Sequence, residues 1–186
     1  MRRFAELARA DVIPLVDGPK LAVELLEVLR VRGWTVAVAE SLTGGLVTSM
    51  LVGVPGASRS VRGAVVAYAT DLKASVLGVD PHLLASRGAV DVDVAAAMAV
   101  GVRTTLGADV GLATTGVAGP EPQGGHAPGT VHVAVATPGG VRVTSAHLPG
   151  DRAAVRAGTR DLVLTFAIEV LGRSGTGEAL GSLDEL

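Results

Sequence analysis

One lysine and one tyrosine stand five positions apart in a chain that otherwise avoids both residue types. The stretch AVVAYATDLKASV, residues 64–76, contains the only tyrosine, Tyr68, and one of only two lysines, Lys73. A lysine desolvated by an apolar wall can have a lowered pKa, act as a general base and activate a serine without histidine. Tyr68 could hold that lysine or relay a proton. A solvated helix lysine and an interfacial tyrosine fit these residues equally well, so both interpretations stay open.

A second candidate is the stretch AESLTGG, residues 39–45, which joins a predicted strand to a predicted helix. The free N–H groups and partial positive charge of a helix N-terminus suit a phosphate or a developing oxyanion. Alternatively, Ser41 or Thr43 caps the helix while Gly44 and Gly45 turn the chain. The residues alone do not decide between a ligand site and a cap.

Two further loops carry residues that could bind a substrate. The small residues of TTGVAGP, 114–120, would let the backbone approach a ligand closely, although a tight connection explains them as well. The motif is neither a Walker loop nor a dinucleotide fingerprint. Arg152 opens the last predicted helix, where its charge opposes the helix dipole. That position suggests a fork for a phosphate or carboxylate, with an ordinary surface arginine as the alternative.

Other reaction chemistries find no support in the sequence. The histidines are scattered without zincin spacing or nearby carboxylate clusters, so we predict no metal centre. The G-x-S-x-G motif of Ser-His-Asp hydrolases is missing. The chain has no cysteine, which excludes disulfides, thiolate metal sites and a cysteine nucleophile.

Composition predicts one apolar domain. The 186 residues are 48% hydrophobic, 18% charged and 2% aromatic, so the core must consist of Ala, Val and Leu. A net charge of −2 gives no case for direct nucleic-acid or anionic-membrane binding. No apolar run suggests a transmembrane or export segment, and we expect a cytoplasmic protein. Residues 1–18 are predicted as a variable extension and residues 173–186 as a flexible tail.

The hydrophobic pattern alternates between helices and strands. Helices are predicted over 19–33, 46–54, 71–78, 80–88, 91–107 and 152–171, and strands over 34–40, 60–70 and 108–116, followed by a hairpin around the PGG at 138–140. This order predicts a three-layer α/β/α sandwich with a mixed, mostly parallel sheet and a late hairpin. Ligands of such sheets bind beyond the carboxyl ends of the strands, where the loops 41–45, 114–125 and 149–152 are expected.

The motifs occur together in an order typical of one family. The blocks AESLTGG, PGAS, GAVVAYATDLK, LGV, GAV, TTGVAGP, GTVHVAVAT and GDR resemble the CinA carboxyl-terminal domain family over residues 19–171. That family includes nicotinamide mononucleotide deamidase. The chain shows no counterpart of the amino-terminal nucleotide-pyrophosphatase-like domain of long CinA proteins and resembles the stand-alone form.

The resemblance implies an amidohydrolase. It would convert nicotinamide mononucleotide to nicotinate mononucleotide and ammonia, with no metal or organic cofactor. The implied catalytic residues are Ser58, Lys73, Ser41 and Tyr68. We favour Ser58 paired with Lys73 and Ser41 as an orienting group, while Ser41 remains a rival nucleophile. The implied substrate-binding residues are Thr43, Gly44, Gly45, Thr115, Gly116, Gly119 and Arg152.

Three positions depart from the family pattern, and two other functions compete. Ala57 stands where the family has the first of two serines, while the second, Ser58, is retained. Thr70 stands where the family has asparagine and Asp91 where it has serine, which would change substrate preference if these residues shape the pocket. The alternatives are an amidase for another small amide and a non-catalytic competence or DNA-damage adaptor with a recombination-protein partner. The Val-rich strands also predict a homo-oligomer.

Overall fold

The structure, a computed structural model, describes residues 8–9 and 18–173. The predicted tail beyond 173 and most of the predicted extension before 19 lie outside the described residues. No helix within residues 18–173 combines the length and the hydrophobicity required to cross a bilayer.

From residue 18 onward the elements follow the order that the hydrophobic pattern predicts, whereas the two-residue strand at 8–9, inside the predicted extension, was not predicted. The strands are β1 (Ala8–Arg9), β2 (Val36–Glu40), β3 (Val61–Val66), β4 (Val110–Gly116), β5 (Thr130–Thr137) and β6 (Gly140–His147). The helices are α1 (Gly18–Arg32), α2 (Leu46–Val52), α3 (Thr70–Ser75), α4 (Pro81–Arg87), α5 (Val92–Thr105) and α6 (Arg152–Arg173). A single 3₁₀ turn, Ala57–Arg59, precedes β3.

The described strands form one mixed sheet in the order β1-β6-β5-β4-β2-β3. β2 is parallel to both β3 and β4, and β1 is parallel to β6. The hairpin strands β5 and β6 are antiparallel to each other, and β5 is antiparallel to β4. The mixed, mostly parallel sheet with a late hairpin is thus confirmed. Its three parallel strands β2, β3 and β4 end at the same edge, where Glu40 is level with Val66 and Thr114.

The two faces of the sheet bury different side chains. Alternate residues of β2 point to opposite faces, so that Val36 and Val38 join the core under α1, α2 and α6, while Ala37 and Ala39 join the core under α5. The other strands follow this division, with mostly Val and Leu on the first face and mostly Ala on the second. The result is the predicted three-layer sandwich.

The alanine face lets α5 lie close to the sheet. A Cβ atom on Gly111 of β4 would lie 2.0 Å from the carbonyl oxygen of Ala99 in α5. Real Cβ contacts are never this short, so this glycine sets the distance between the helix and the strand.

β3 is shorter than the predicted strand 60–70. It ends at Val66 because its partner β2 ends at Glu40, and Ala67 donates the last hydrogen bond of this edge to Glu40 O. Residues 67–69 then cross the carboxyl edge of the sheet, and α3 begins at Thr70. This shift brings Lys73 above the ends of the parallel strands.

Candidate active site

A polar cavity of about 130 Å³ lies at the carboxyl ends of β2, β3 and β4. It is the edge at which ligands of open α/β sheets bind. The cavity is lined by Ser41, Leu42, Tyr68, Thr70, Lys73, Ala89, Val90, Thr115, Gly116, Ala118, Gln123 and Arg152. Six of the eleven predicted site residues therefore meet in one place, although they come from four different segments of the chain.

Lys73 is the most unusual side chain of this cavity. Lys73 is 1% exposed, and its Nζ lies 3.1 Å from Ser41 Oγ and 2.7 Å from the carbonyl oxygen of Ala67. No carboxylate of the described chain forms an ion pair with it. Burial therefore lowers the pKa of Lys73 from its ordinary 10.5 to about 8, because the charged form is poorly solvated. Part of the lysine is neutral near physiological pH and can accept a proton from a serine hydroxyl.

Ser41 owes its position to the residue before it. Glu40, the fully buried last residue of β2, receives hydrogen bonds on its carboxylate from the N–H groups of Gly45, Val47 and Thr48 at 2.8, 3.2 and 2.8 Å. The Thr48 hydroxyl donates a fourth bond of 2.6 Å. Glu40 thus caps α2 and ties the loop that starts at Ser41 to the sheet.

This arrangement corrects the prediction that the N-terminus of α2 offers free N–H groups to a ligand, since Glu40 takes them. Neither Ser41 nor Thr43 caps the helix with its side chain, because Thr43 Oγ1 pairs with Thr114 Oγ1 at 2.8 Å. Gly44 and Gly45 do not line the cavity, and the side chain of Thr43 is directed to Thr114 instead. Gly44 and Gly45 have φ values of 58° and 99°, which favour glycine.

Arg156 of α6 secures the same loop from the other side. Its guanidinium donates to the carbonyl oxygens of Leu42 and Thr43 at 2.9 and 2.8 Å. Arg156 and Glu40 are site residues that were not predicted from the sequence. Glu40 lies inside the motif that holds Ser41, whereas nothing in the sequence places Arg156, more than a hundred residues away, beside that motif.

Tyr68 and Arg152 form the rim of the cavity. Tyr68 is 60% exposed, and its hydroxyl accepts a hydrogen bond of 3.1 Å from Arg152 Nη2. Arg152 Nη1 donates to the carbonyl oxygen of Gly119 at 3.0 Å. The expectation that Tyr68 holds Lys73 is not met, because the Ala67 carbonyl occupies that role. Arg152 instead links Tyr68 to the loop after β4.

The end of β4 supplies the opposite wall. Thr115 is buried, and its hydroxyl donates 2.6 Å to Ala89 O, which holds residues 89–90 against the cavity. A Cβ on Gly116 would lie 2.5 Å from Thr130 O, so only glycine fits this strand end. The loop that follows brings Gln123 into the lining, a residue that was not predicted from the sequence. Its backbone pairs with that of His126 in both directions.

Two of the positions that depart from the family pattern, Thr70 and Asp91, differ in location. Thr70 lines the cavity, so the exchange of asparagine for threonine reaches the site itself. Asp91 is not in the lining; its carboxylate accepts from the Asp93 N–H at 2.8 Å and caps α5.

Ser58 lies away from this cavity, so the predicted pairing of Ser58 with Lys73 is not formed within the chain. Ser58 is exposed in the turn before β3, at the amino end of the strand, whereas Lys73 lies beyond its carboxyl end. Six strand residues separate the two ends by roughly 20 Å. The partner of Lys73 is Ser41.

The histidines do not form a metal site in the described part of the chain. Only His126 and His132 have rings in contact, edge to face at 6.4 Å between centroids, and His132 Nδ1 pairs with Ser145 Oγ at 2.7 Å. Burial lowers the pKa of His132. No three His, Asp or Glu side chains within the described ranges group closely enough to hold a metal ion.

Comparison with known proteins identifies the family. The sequence model of the CinA C-terminal domain matches residues 19–171. This chain belongs to the CinA family. A CinA-like protein of Frankia casuarinae is 56% identical to this CinA domain over 132 residues, which are 71% of the chain and 30% of that protein. A CinA-like protein of Gemmatimonas aurantiaca is 42% identical over 185 residues, 97% of the chain and 43% of that protein. The chain thus spans less than half the length of these curated relatives.

Solved CinA structures share the fold. The competence-damaged protein (CinA) superfamily protein KP700603 of Klebsiella pneumoniae superimposes with a TM-score of 0.82 at 30% identity, covering 85% of this chain and 99% of that chain. A CinA superfamily protein of Escherichia coli gives a TM-score of 0.81 at 29% identity, with coverages of 87% and 95%. The α/β architecture is therefore that of the CinA superfamily.

Proposed function

We propose that this CinA domain is an amidohydrolase that uses Ser41 as nucleophile and Lys73 as base. The observation that carries the proposal is the buried lysine amine 3.1 Å from the Ser41 hydroxyl, with its pKa lowered to about 8. A neutral amine at this distance can take the hydroxyl proton as the serine oxygen attacks a carbonyl carbon. The cavity at the strand ends supplies the space for the acyl group.

The reaction balances with these two side chains and one water molecule. Ser41 Oγ forms a bond to the amide carbon while its proton moves to Lys73 Nζ. The protonated lysine then gives that proton to the leaving nitrogen as the C–N bond breaks, releasing ammonia and leaving an ester on Ser41. Water attacks this ester with Lys73 again as base, and the products are a carboxylic acid and free Ser41.

The proposed substrate is nicotinamide mononucleotide, as the resemblance to the family's deamidases implies. Arg152 supports an anionic substrate, because it lies on the cavity rim and both of its hydrogen bonds go to uncharged oxygen atoms. A phosphate could replace the Tyr68 hydroxyl and the Gly119 carbonyl as a stronger, charge-assisted partner. Thr70 on the cavity wall favours testing related amides beside the mononucleotide.

The test is ammonia release from nicotinamide mononucleotide, with and without chelator, beside a known deamidase. We expect equal release in both conditions and none from Ser41→Ala. Absence of ammonia from the intact protein, while the known deamidase is active, would refute this substrate. A screen of other small amides then separates an amidase of different specificity from an inactive pocket.

The second candidate is the non-catalytic competence or DNA-damage adaptor; the related structures carry the name competence-damaged protein, which states a link to competence and no reaction. An adaptor predicts recovery of a recombination protein in a pull-down that is unaffected by Ser41→Ala and Lys73→Met. If no amide is hydrolysed and this capture succeeds, the adaptor replaces the amidohydrolase.

A further inference from the structure

Two backbone N–H groups beside Ser41 have no partner in the described chain. Every other N–H group from residue 41 to residue 48 donates a hydrogen bond to a backbone carbonyl or to the Glu40 carboxylate. Only the N–H groups of Leu42 and Thr43 make none. Both residues are buried, at 4% and 0% exposure. A buried N–H without an acceptor is costly, and such groups are rare unless a ligand or water completes them.

The loop geometry gives these two N–H groups one direction. Gly44 N–H donates to Ser41 O, which closes a turn that starts at Ser41. Arg156 binds the carbonyl oxygens of Leu42 and Thr43 from the side of α6. In a trans peptide the N–H points opposite to the preceding C=O. The N–H of Thr43 therefore points away from Arg156, parallel to that of Gly44, toward Ser41.

The Leu42 N–H follows the same logic. The Ser41 carbonyl points forward along the turn to accept from Gly44, so the N–H of the next residue, Leu42, points backward out of the turn. Two donors therefore emerge together at the start of the turn, next to the Ser41 side chain. The Ser41 hydroxyl takes neither of them, because its bond is to Lys73.

These donors are distinct from the N-terminus of α2. That helix starts at Leu46, whose N–H donates to Thr43 O, and the next two N–H groups, of Val47 and Thr48, donate to the Glu40 carboxylate. The Glu40 carboxylate and backbone carbonyl oxygens accept from the other N–H groups of residues 41–48, which leaves those of Leu42 and Thr43 without an acceptor. Independently of the loop, Leu42 lines the cavity that also contains the Lys73–Ser41 pair.

We infer that the N–H groups of Leu42 and Thr43 form the oxyanion hole of this site; the inference rests on the proposed function. When Ser41 Oγ bonds to the amide carbon, the carbonyl oxygen becomes negatively charged within reach of both donors. They donate to it without moving, because Glu40 and Arg156 already hold the loop. The charge returns to a carbonyl as the C–N bond breaks, and no proton leaves either amide.

Amide-to-ester exchange tests this assignment, because it removes one N–H and keeps the side chain. We would introduce the α-hydroxy analogue of leucine at residue 42 and, as a matched control, at residue 46. Leu46 N–H donates to Thr43 O within the loop and takes no part in the hole. Each ester also weakens the carbonyl before it, and both carbonyls, Ser41 O and Gly45 O, accept one backbone hydrogen bond.

The two esters should have opposite effects. The ester at residue 42 should lower kcat about 10²–10³-fold with little change in KM, since the lost donor acts in the transition state. It should cost less stability than the ester at residue 46, which loses a hydrogen bond present in the free protein. The ester at residue 46 should keep kcat within a few-fold. An unchanged kcat for the residue 42 ester would overturn the inference.

A second measurement separates this inference from the choice of substrate. Pyridine-3-boronic acid can form a tetrahedral adduct on a serine, with one boron-bound oxygen in the position of the oxyanion. In ¹⁵N–¹H spectra, we expect the Leu42 and Thr43 amide protons to shift downfield on adding it. If the protein releases no ammonia from nicotinamide mononucleotide but shows these shifts, the substrate fails and the hole stands. An adduct without the shifts, or no adduct, overturns the hole.

Discussion

Two serines of this domain lie at opposite ends of the parallel strands of one sheet. Ser41 follows β2 at the carboxyl edge, is 9% exposed and lies against a buried lysine. Ser58 precedes β3 at the amino edge, is exposed and lines a groove of about 530 Å³ formed by residues 48–63. The groove lining is mainly apolar side chains and glycines, and it contains no group that could act as a base at neutral pH.

The difference shows what a serine needs to become a nucleophile. A hydroxyl of ordinary reactivity requires a base within hydrogen-bond distance and donors for the developing charge. Parallel strands bring both to the carboxyl edge, since β2, β3 and β4 each end there and pass into a different loop. The amino edge gathers no comparable set around Ser58.

Replacing each of the two serines by alanine should give the largest difference in activity between the two ends of the sheet. Ser41→Ala should reduce amide hydrolysis by at least about 10³-fold, because the nucleophile is lost. Ser58→Ala should keep kcat/KM within about twofold. Steady-state ammonia release from both variants measures this. If Ser58→Ala lost activity while Ser41→Ala kept it, Ser58 would be the nucleophile and the comparison would be wrong.

Replacing the lysine should be nearly as damaging. Lys73→Met removes the base while keeping an unbranched side chain in the buried site, and we expect kcat to fall about 10³-fold or more. The variant should remain folded at pH 7, since burying an ammonium group no longer opposes folding. Thermal unfolding beside the activity assay checks this. Retention of most of the activity would remove Lys73 from the mechanism.

The pH dependence should follow the lowered pKa of Lys73. Because the neutral amine is the active form, kcat/KM should rise about tenfold between pH 7 and pH 9 through an apparent pKa of about 8. Between about 8 and 10.5 the unfolded chain binds more protons than the folded one, so this group makes stability rise with pH in that window. The stability difference between Lys73→Met and the parent should therefore narrow over the same range. A flat activity profile would contradict this assignment.

Replacing two arginines, one at each end of the parallel strands, should give the smallest difference in kinetic constants. Arg152 lines the cavity and Arg62 lines the groove, and each donates to a backbone carbonyl. Arg152→Ala should raise KM about tenfold with a smaller effect on kcat, because it removes one charge-assisted contact to an anionic substrate. Arg62→Ala should leave both constants unchanged. Equal effects from the two variants would mean that Arg152 makes no specific contact.

Much of the fold could be predicted because its periodicities are local. Alternation in β2 and β5 and the helical spacing in α1 reflect which side chains face the core, so the sequence records them directly. The end of β3 was misplaced because it depends on its partner: Tyr68 and Thr70 are residue types typical of strands, but β2 ends at Glu40 and offers residues 68–70 no further pairing.

The sequence by itself determined the family, the order of the elements from residue 18 onward and half of the residues that line the cavity, because the residues of each motif lie within a few positions of one another. Only the tertiary structure decided which serine meets Lys73, since that depends on the edge at which each loop emerges. It also decided that Glu40 fills the helix N-terminus and that Arg156 orients the Ser41 loop. The Arg156 contacts join residues more than a hundred positions apart, and the Glu40 contacts depend on how the loop after β2 turns, so residue type alone predicts neither.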